Sequence, residues 1–307
     1  MLNELDKQLL QTIADMPDGE AKGAVNIRKD SGCAARMSME NIEITSKQDK
    51  PGIDINIKPG TKNEMCHIPV IITESGLTET VYNDFYIGPD CDVTIIAGCG
   101  IHNDGGAESR HDGVHTFHIG RGSRVKYVEK HYASGSGKGG RVMNPETIAY
   151  LDEGAFLQMD TAQIKGIDST KRMTKIVCGA GAEVVVTERL QTHGEQWAES
   201  EMEIVLDGAG SKGRVISRSV AQDSSRQVFF PRMTGNAECF GHVQCDSIIM
   251  DNANIRSVPA IEANSVDAQL IHEAAIGRIA GDQLLKLETL GLTEEEAQER
   301  ILKGFLA

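Results

Sequence analysis

The sequence is poor in aromatic residues, in positive charge and in long apolar runs. Aromatic residues make up 4% of the 307 residues, with a single Trp, so a core must be built from small and β-branched side chains. Lys and Arg number 31 against 45 Asp and Glu, a formal charge of −14, which argues against binding of nucleic acid or anionic lipid. No apolar run approaches the ~18 residues of a membrane helix, and the amphipathic N-terminus does not resemble a signal peptide. We therefore expect a cytoplasmic protein without a membrane span.

The seven cysteines form neither a CxxC motif nor a dense framework. Their number is odd, which does not fit a set of structural disulfides. In a reducing cytosol we expect free thiols. Any function of these thiols would be metal or sulfur chemistry.

Helical periodicity marks the N-terminal part of the chain. Apolar residues recur every three or four positions from Leu2 to Ile13, which predicts an amphipathic helix that ends near Pro17. The small residues of Gly32–Met39 indicate a second helical segment. We therefore expect residues 1–40 to form an N-terminal helical segment.

The C-terminal part also has helical signals. Apolar residues between Gly281 and Leu290 have helical spacing, and Gly291 ends that helix. Thr293 and Glu296 form a capping box that starts a last helix. The sequence predicts a C-terminal helical hairpin over residues 276–307.

Between residues 41 and 275 the sequence is a succession of short alternating apolar runs, each bounded by Gly, Asp or Asn. Small turn residues precede many of these runs, at intervals of 32, 32, 27 and 71 residues: Cys91, Ser123, Ala155, Ala182 and Ala253. Such a repeat favours a solenoid or β-helix, in which each coil covers the next. A β-sandwich with Gly-rich turns is the alternative, but hairpin signals are scarce and no Asn-Gly dipeptide occurs.

The densest cluster of potential metal ligands begins at Cys99 and His102, whose spacing suits a zinc site. Four histidines follow this pair: His111, His115, His118 and His131. His115 and His118 would lie on opposite faces of a strand, so solvated or core histidines are the simpler interpretation. The Gly-rich run at 135–140 does not match a phosphate-binding loop, because Gly139 follows its lysine, and it predicts an ordinary loop.

A second set of ligands is centred on Cys245, which is followed 27 and 28 residues later by His272 and Glu273. Thiolate, imidazole and carboxylate together suit iron or an iron–sulfur cluster. If one coil of the solenoid is close to this length, the two segments lie on neighbouring strands about 5 Å apart. For each residue alone a structural role is the simpler interpretation, since a Cys among apolar neighbours is usually a small buried hydrophobe.

Several segments of the chain resemble the SufB/SufD family, which forms the scaffold of the SUF iron–sulfur cluster assembly system. The segments are GHVQCDS at 241–247, PAIE at 259–262, DAQLIHEA at 267–274, GRI at 277–279, and the residues from DQL at 282 to GF at 305. The similarity extends upstream through Gly98 and Cys99 to about residue 80. The chain is similar to compact, SufB-like members of minimal archaeal systems. The Cys-rich N-terminal motif of some bacterial SufB proteins is absent, and Cys33 with Cys66 does not reproduce it.

The resemblance implies a right-handed parallel β-helix with N-terminal and C-terminal helical segments. It implies a homodimer that binds a SufC-like ABC ATPase through the C-terminal helices and has no enzyme activity of its own. It places a transient iron–sulfur cluster on Cys245, His272 and Glu273 at the dimer interface, and Cys99 on a sulfur path. It leaves open the cluster type, the sulfur donor and whether a flavin supplies electrons.

Two other functions remain as alternatives. A β-helix enzyme acting on carbohydrate would need paired carboxylates and aromatic platforms along a groove, which a chain with one Trp does not favour. A zinc-binding or metal-storage protein would use Cys99 and His102 as the centre of its site.

Overall fold

Alternation of inward and outward side chains defines most strands of the chain, whose computed structural model describes residues 2–306. A short 3₁₀ turn at Pro17–Gly19 follows the first helix. The helices and strands in chain order are α1 (Glu4–Ala14), β1 (Ala24–Lys29), β2 (Gly32–Met37), β3 (Ile42–Ser46), β4 (Gly52–Ile57), β5 (Lys62–Ile72), β6 (Thr78–Ile87), β7 (Asp92–His102), β8 (Ser109–Ile119), β9 (Arg124–Ser134), β10 (Arg141–Met143), β11 (Glu146–Leu151), β12 (Phe156–Lys165), β13 (Ser169–Cys178), β14 (Glu183–Thr192), β15 (Trp197–Leu206), β16 (Ser211–Ala221), β17 (Arg226–Gly235), β18 (Cys239–Ile249), β19 (Asn254–Ser257), β20 (Ala260–Ala263), β21 (Ala268–Gly277), α2 (Gly281–Glu288) and α3 (Glu294–Phe305).

The strands form two sheets that run along one axis. The first sheet has the order β2-β1-β5-β7-β9-β12-β14-β16-β18-β21. The second has the order β19-β17-β15-β13-β10-β8-β6-β4-β3. In addition, β11 pairs with β8 and β13, and β20 pairs with β17. Neighbours are parallel except in the pairs β1–β2 and β3–β4. Because successive strands alternate between the sheets, the chain winds as a solenoid of about eight turns, which confirms the predicted β-helix class.

The coils are similar in length but not identical. Val125 pairs with Leu157 and Leu157 with Val184, so these coils advance by 32 and 27 residues. One corner is a stack of left-handed glycines, Gly122, Gly154 and Gly181, with φ between 63° and 67°. Glycine adopts this conformation without the strain that a Cβ would add. The corner therefore turns in the same way in successive coils.

Helix α1 lies outside the first sheet and covers β5, β7 and β9. Its apolar face, with Leu9 and Ile13, packs on Ile71 and Ile96 of the sheet. Gly98 lies directly beneath it, and a Cβ there would approach the Ile13 carbonyl oxygen to 2.4 Å. The predicted N-terminal helix is confirmed, and the glycine explains how it approaches the sheet so closely.

The prediction of a second helical segment at Gly32–Met39 is wrong, because residues 32–37 form β2. Strand β2 returns antiparallel to β1 through Asp30 and Ser31, which both have positive φ values, 45° and 65°. Such values at both central residues are typical of a tight hairpin turn that matches strand twist. The hairpin extends the first sheet, so residues 1–40 contain one helix and two strands rather than a wholly helical segment.

The two C-terminal helices are confirmed. The Thr293 hydroxyl oxygen accepts from the Glu296 amide at 3.2 Å, and a Glu296 carboxylate oxygen accepts from the Thr293 amide at 2.8 Å. Ala297 and Leu302 bury one side of α3. Among the helices of residues 2–306, none has the length and apolar character needed to cross a bilayer.

Candidate functional site

Cys245 and His272 lie together on the inner face of the last coil. Strand β18 pairs with β21 so that Val243 is opposite His272 and Cys245 is opposite Ala274. Inward positions alternate along both strands, which directs the Cys245 and His272 side chains to the same face. The Cys245 Sγ lies 3.5 Å from the His272 Nε2. The predicted juxtaposition of these two residues is therefore present.

Both groups are neutral at pH 7. Burial raises the pKa of the Cys245 thiol to about 12. Burial also lowers the pKa of the His272 imidazole, against the opposing effect of Glu273. A neutral imidazole is ready to bind metal, whereas the thiol must first lose its proton. Metal binding here would therefore release a proton.

Glu273 does not lie with these two residues. It follows His272 directly in the sequence, so its side chain points to the opposite, outer face of β21. There a carboxylate oxygen of Glu273 lies 2.8 Å from the His242 Nε2. The structure thus brings together two of the three predicted ligands and places Glu273 in a separate pair on the outer surface.

Cys99 lies on the inner face of β7, near the other end of the solenoid. Its neighbours in the sheet are Val70 of β5 and His131 of β9. The imidazoles of His111 and His131 are the charged groups that act on the thiol. On its far side the His111 Nδ1 lies 3.1 Å from a Glu79 carboxylate oxygen. Cys99 is thus buried between two histidines.

The Cys99 thiol is ionised far more readily than an ordinary buried thiol. Burial alone would raise its pKa, but the contacts with His111 and His131 outweigh burial and lower the pKa to about 7. Burial would lower the pKa of His111, yet Cys99 and Glu79 raise it to about 10. Near neutral pH a substantial fraction of this pair is therefore a thiolate beside an imidazolium. Such a thiolate is a nucleophile and a ligand for soft metals.

Alkylation of Cys99 is expected to depend on pH in a way that reports this pair. The rate with a small neutral reagent should rise through pH 7, because the reactive thiolate forms there while His111 stays protonated. Peptide mass spectrometry of the native protein would give the rate at each cysteine. In His111→Gln the midpoint should move upward, whereas Cys178, whose pKa burial raises to about 12, should stay unreactive in both proteins. An unchanged midpoint in the variant would contradict the thiolate–imidazolium pair.

The structure does not bring Cys99 and His102 together, so it does not support the zinc site that was predicted around them. His102 is an odd number of residues from Cys99 and therefore lies on the other face of β7. There its Nδ1 is hydrogen-bonded to the Ser134 hydroxyl and its Nε2 to an Asp104 carboxylate oxygen, at 2.9 Å each. His118 is on the outer surface, stacked between Tyr86 and Tyr150. Over residues 2–306, no three His, Cys, Asp or Glu side chains are arranged to hold a metal ion.

A line of buried polar side chains connects the Cys99 end of the interior with the Cys245 end. Next to Cys99, His131 lies 3.1 Å from an Arg172 guanidinium nitrogen through its Nδ1. Arg172 also binds Glu129 at 2.5 Å and lies 3.6 Å from Glu188.

The line continues through serine hydroxyls. Ser200 donates to Glu188 at 2.8 Å, and Ser217 donates to its other oxygen at 3.5 Å. Ser217 is the direct neighbour of Cys245 in the sheet. The interior thus contains a polar lane from Cys99 to Cys245, formed by His131, Arg172, Glu188 and Ser217, in an otherwise apolar core.

The charges of this polar lane compensate one another. Burial alone would raise the pKa of Glu129, but Arg172 and His131 hold it well below the usual range. For Glu188 burial is the stronger effect, and the pKa of its carboxyl is raised despite Arg172. Glu129 and Arg172 are therefore both charged inside the solenoid. Sequence analysis missed their role, although both lie at inward positions of their strands, Glu129 on the same face of β9 as Val125 and Tyr127.

A solenoid that presents a thiol and an imidazole at one end and a reactive thiolate inside has the soft ligands that iron and iron–sulfur clusters take. The family model for SUF system FeS cluster assembly, SufBD core domain, matches residues 74–305. The chain therefore belongs to the SufBD family, as its motifs indicated. Members of this family are scaffold-type components rather than catalytic enzymes.

Curated relatives come from archaea, from a bacterium and from a plant. An iron–sulfur cluster assembly SufBD family protein of Methanothermobacter thermautotrophicus strain Delta H is 28% identical over 265 residues, 83% of this chain and 62% of the relative. One from Methanocaldococcus jannaschii is 27% identical over 290 residues, 93% of this chain and 90% of the relative. A chloroplastic member from Arabidopsis thaliana is 26% identical over 204 residues, 64% and 36% of the two chains. The chain thus spans less than two thirds of the Methanothermobacter relative.

Proposed function

We propose that this chain is a scaffold on which a transient iron–sulfur cluster is assembled at Cys245 and His272 and then handed on. The observation that supports this most directly is the 3.5 Å contact between the thiol and the imidazole in the last coil of a SufBD family chain. Mixed sulfur and nitrogen ligation holds a cluster less firmly than four thiolates do. A scaffold that releases its product needs such a site.

We propose a homodimer that pairs the C-terminal ends of two solenoids. Strand β21 is the last strand of its sheet, and a strand at such an edge presents unpaired backbone groups. Three large apolar side chains at this edge are exposed: Ile271 by 49% and Ile276 by 44% on β21, and Phe240 by 43% on β18. A two-fold axis at this edge would bring two Cys245–His272 pairs together and provide four ligands.

Glu273 enters this proposal as a ligand of an opened state. In the structure its carboxylate binds His242 on the outer face, away from Cys245. Movement of the edge strand would be needed to bring it to the cluster. We propose that nucleotide binding by the ATPase partner supplies that movement, since a nucleotide can shift such an equilibrium through its different affinity for the two states.

We propose that Cys99 receives sulfur and that the polar lane leads from it toward Cys245. The lowered pKa of Cys99 makes it a nucleophile at neutral pH, as acceptance of a sulfur atom requires. His131, Arg172 and Glu188 provide charged and hydrogen-bonding groups along the interior between the two cysteines. These groups would stabilise anionic sulfur in a core that otherwise disfavours charge.

Anaerobic reconstitution tests the assembly site. The full chain, a SufC-like ATPase, ATP, iron and sulfide would be combined, and bound iron and sulfide measured with absorption and Mössbauer spectra. Cys245→Ala and His272→Ala are expected to lose the cluster while keeping the fold and ATPase binding, because they remove its proposed ligands. Cys178→Ala, which removes another buried thiol of the same core, should retain it. A full complement of iron and sulfide on Cys245→Ala would show that the site is elsewhere, with the Cys99 region as the next candidate.

A further inference from the structure

A small cavity at the N-terminal end of the solenoid is lined by positive charge. It has a volume of about 220 Å³ and lies between the β1–β2 hairpin and the first coil. Four cationic side chains line it, those of Arg28, Arg36, Lys47 and Lys50, and no Asp or Glu does. This is unexpected on a chain with a net charge of −14. We call this cavity the N-terminal pocket.

Two of the four cations have carboxylate partners behind the pocket wall. An Arg28 guanidinium nitrogen lies 2.9 Å from Glu79. Lys47 binds Asp84 at 2.6 Å and also binds Asp54. These pairs hold their cations in place while leaving them in the pocket wall. Their charges are largely balanced by their partners.

The other two cations are held by neutral groups. Arg36 donates from its Nε to the Asn26 side-chain oxygen at 2.8 Å and from a terminal nitrogen to the Ser46 hydroxyl at 2.7 Å. The Lys50 ammonium lies 4.3 Å from the centroid of the Tyr82 ring. Among residues 2–306, no carboxylate oxygen lies within 4.0 Å of the Arg36 guanidinium or of the Lys50 ammonium. The pocket therefore presents two positive charges that have no carboxylate partner, an arrangement that favours binding of a small anion.

A thiol lines the same pocket. Cys33 is exposed, whereas the other six cysteines are buried. Its Sγ lies 3.7 Å from the Asn26 side-chain oxygen, the same atom that anchors Arg36. The thiol and the guanidinium are therefore held around one amide oxygen, and a ligand bound to the guanidinium would lie beside the thiol.

We propose that the N-terminal pocket binds a small persulfide or polysulfide anion and that Cys33 accepts its terminal sulfur. The Cys33 thiol gives its proton to solvent, and its thiolate attacks the terminal sulfur of R–S–SH. The new bond is Cys33 Sγ–S, the donor S–S bond breaks, and its electron pair leaves on the thiolate R–S⁻. The products are a Cys33 persulfide and the donor thiol, so no external oxidant is consumed. The donor binds as the anion R–S–S⁻ and takes up a proton from solvent before the attack, and the cations of the pocket stabilise the bound anion and the leaving thiolate R–S⁻.

The position of Cys33 connects this pocket with the interior. Cys33 pairs with Arg28, Arg28 with Val70, and Val70 with Cys99, so the four residues form one row across β2, β1, β5 and β7. Three strand spacings separate the two cysteines by about 14 Å. This distance excludes direct transfer between fixed thiols. The pocket is therefore a loading site for sulfur, and its use for cluster assembly rests on the function proposed above.

Loading of the full chain with sulfur, in the absence of iron, tests this proposal. The reduced protein would be mixed with inorganic polysulfide or, in a second arm, with cysteine persulfide, then quenched and mapped by peptide mass spectrometry. Both arms are expected to add one sulfur atom to Cys33. A signal from only one arm would support the site and identify its source. In Arg36→Gln and Lys50→Gln the loading rate should fall on the order of tenfold, and high salt should reduce it in the wild type.

A neutral alkylating reagent separates charge recognition from simple exposure of the thiol. Alkylation of Cys33 should proceed at wild-type rate in Arg36→Gln and Lys50→Gln, which also reports that the hairpin is intact. Lys212→Gln, on an exposed position of β16, should load sulfur normally. Equal polysulfide rates in wild type and both pocket variants would overturn the proposal, as would sulfur on other cysteines but not on Cys33. Because Cys245 takes no part in this assay, failure here is distinguishable from failure of the assembly site.

Discussion

Arg172→Met is expected to lower the free energy of unfolding by about 3–5 kcal/mol, because it leaves buried carboxylates without their counterion. The Arg172 side chain is 7% exposed and binds Glu129, whose side chain is 2% exposed, at 2.5 Å. It also lies 3.6 Å from Glu188. Met has a similar length and no charge, so the loss would be electrostatic rather than a loss of volume. Urea unfolding followed by circular dichroism would measure the difference.

Lys175→Met provides the matched control. Lys175 binds Glu203 at 2.8 Å, but its side chain is 47% exposed on the outer face of the adjacent coils. Solvent screening limits such a surface pair to less than about 1 kcal/mol. If both variants lost the same small amount of stability, the Arg172 cluster would have to be better hydrated than its burial indicates.

Deletion of residues 281–307 is expected to abolish the proposed binding of a SufC-like ATPase while leaving the proposed homodimer intact. Two large apolar side chains of the C-terminal hairpin are exposed, Leu285 of α2 by 61% and Leu290, which follows α2, by 74%. The proposed dimer edge, strand β21, ends at Gly277 and is not part of the deletion. Isothermal titration with the ATPase would measure binding, and light scattering would measure the assembly state.

The double variant Leu285→Gln with Leu290→Gln keeps both helices and tests their apolar surface alone. We expect it to weaken ATPase binding at least about tenfold, since buried apolar anchors contribute most of the free energy of an interface. Met173→Gln, which changes a 39% exposed apolar side chain on the solenoid body, should bind normally. Co-purification of the deleted chain with the ATPase would contradict the proposed partner surface. A monomeric full-length chain at micromolar concentration would contradict the dimer.

Much of the fold could be predicted because each coil repeats the same local pattern. Alternating apolar runs bounded by small residues specified the solenoid, and the Thr293–Glu296 capping box specified the start of α3. The β1–β2 hairpin was missed because Asp30 and Ser31 are not the glycine or asparagine that usually mark such a turn. The residues of β2 show no alternation of apolar and polar side chains. They form a strand by pairing with the edge of β1.

The candidate site was predictable in part. The interval between Cys245 and His272 equals about one coil, so their contact follows from the repeat length. The outward position of Glu273 also follows from strand geometry, since neighbouring residues alternate between faces. The polar lane could not be found in this way. Both faces of β9 contain apolar and charged residues: Glu129 shares one face with Tyr127, and Lys126 shares the other with Val128. Only the pairing of β9 with β7 and β12 decides which face is buried.

The location of Cys245 and His272 at the end of a stack has a consequence for how the site is reached. In a repeat array each strand is stabilised mainly by its two neighbours, and the terminal rung has only one. Strand β21 is that rung, and its side chains are far more accessible than those of the central coils. Fraying of one terminal rung costs less free energy than opening a coil in the middle. In a chain whose β21 edge is not yet paired with a second copy, ligands would thus reach Cys245 through local detachment of β21, while the inner coils around Cys99 keep their structure.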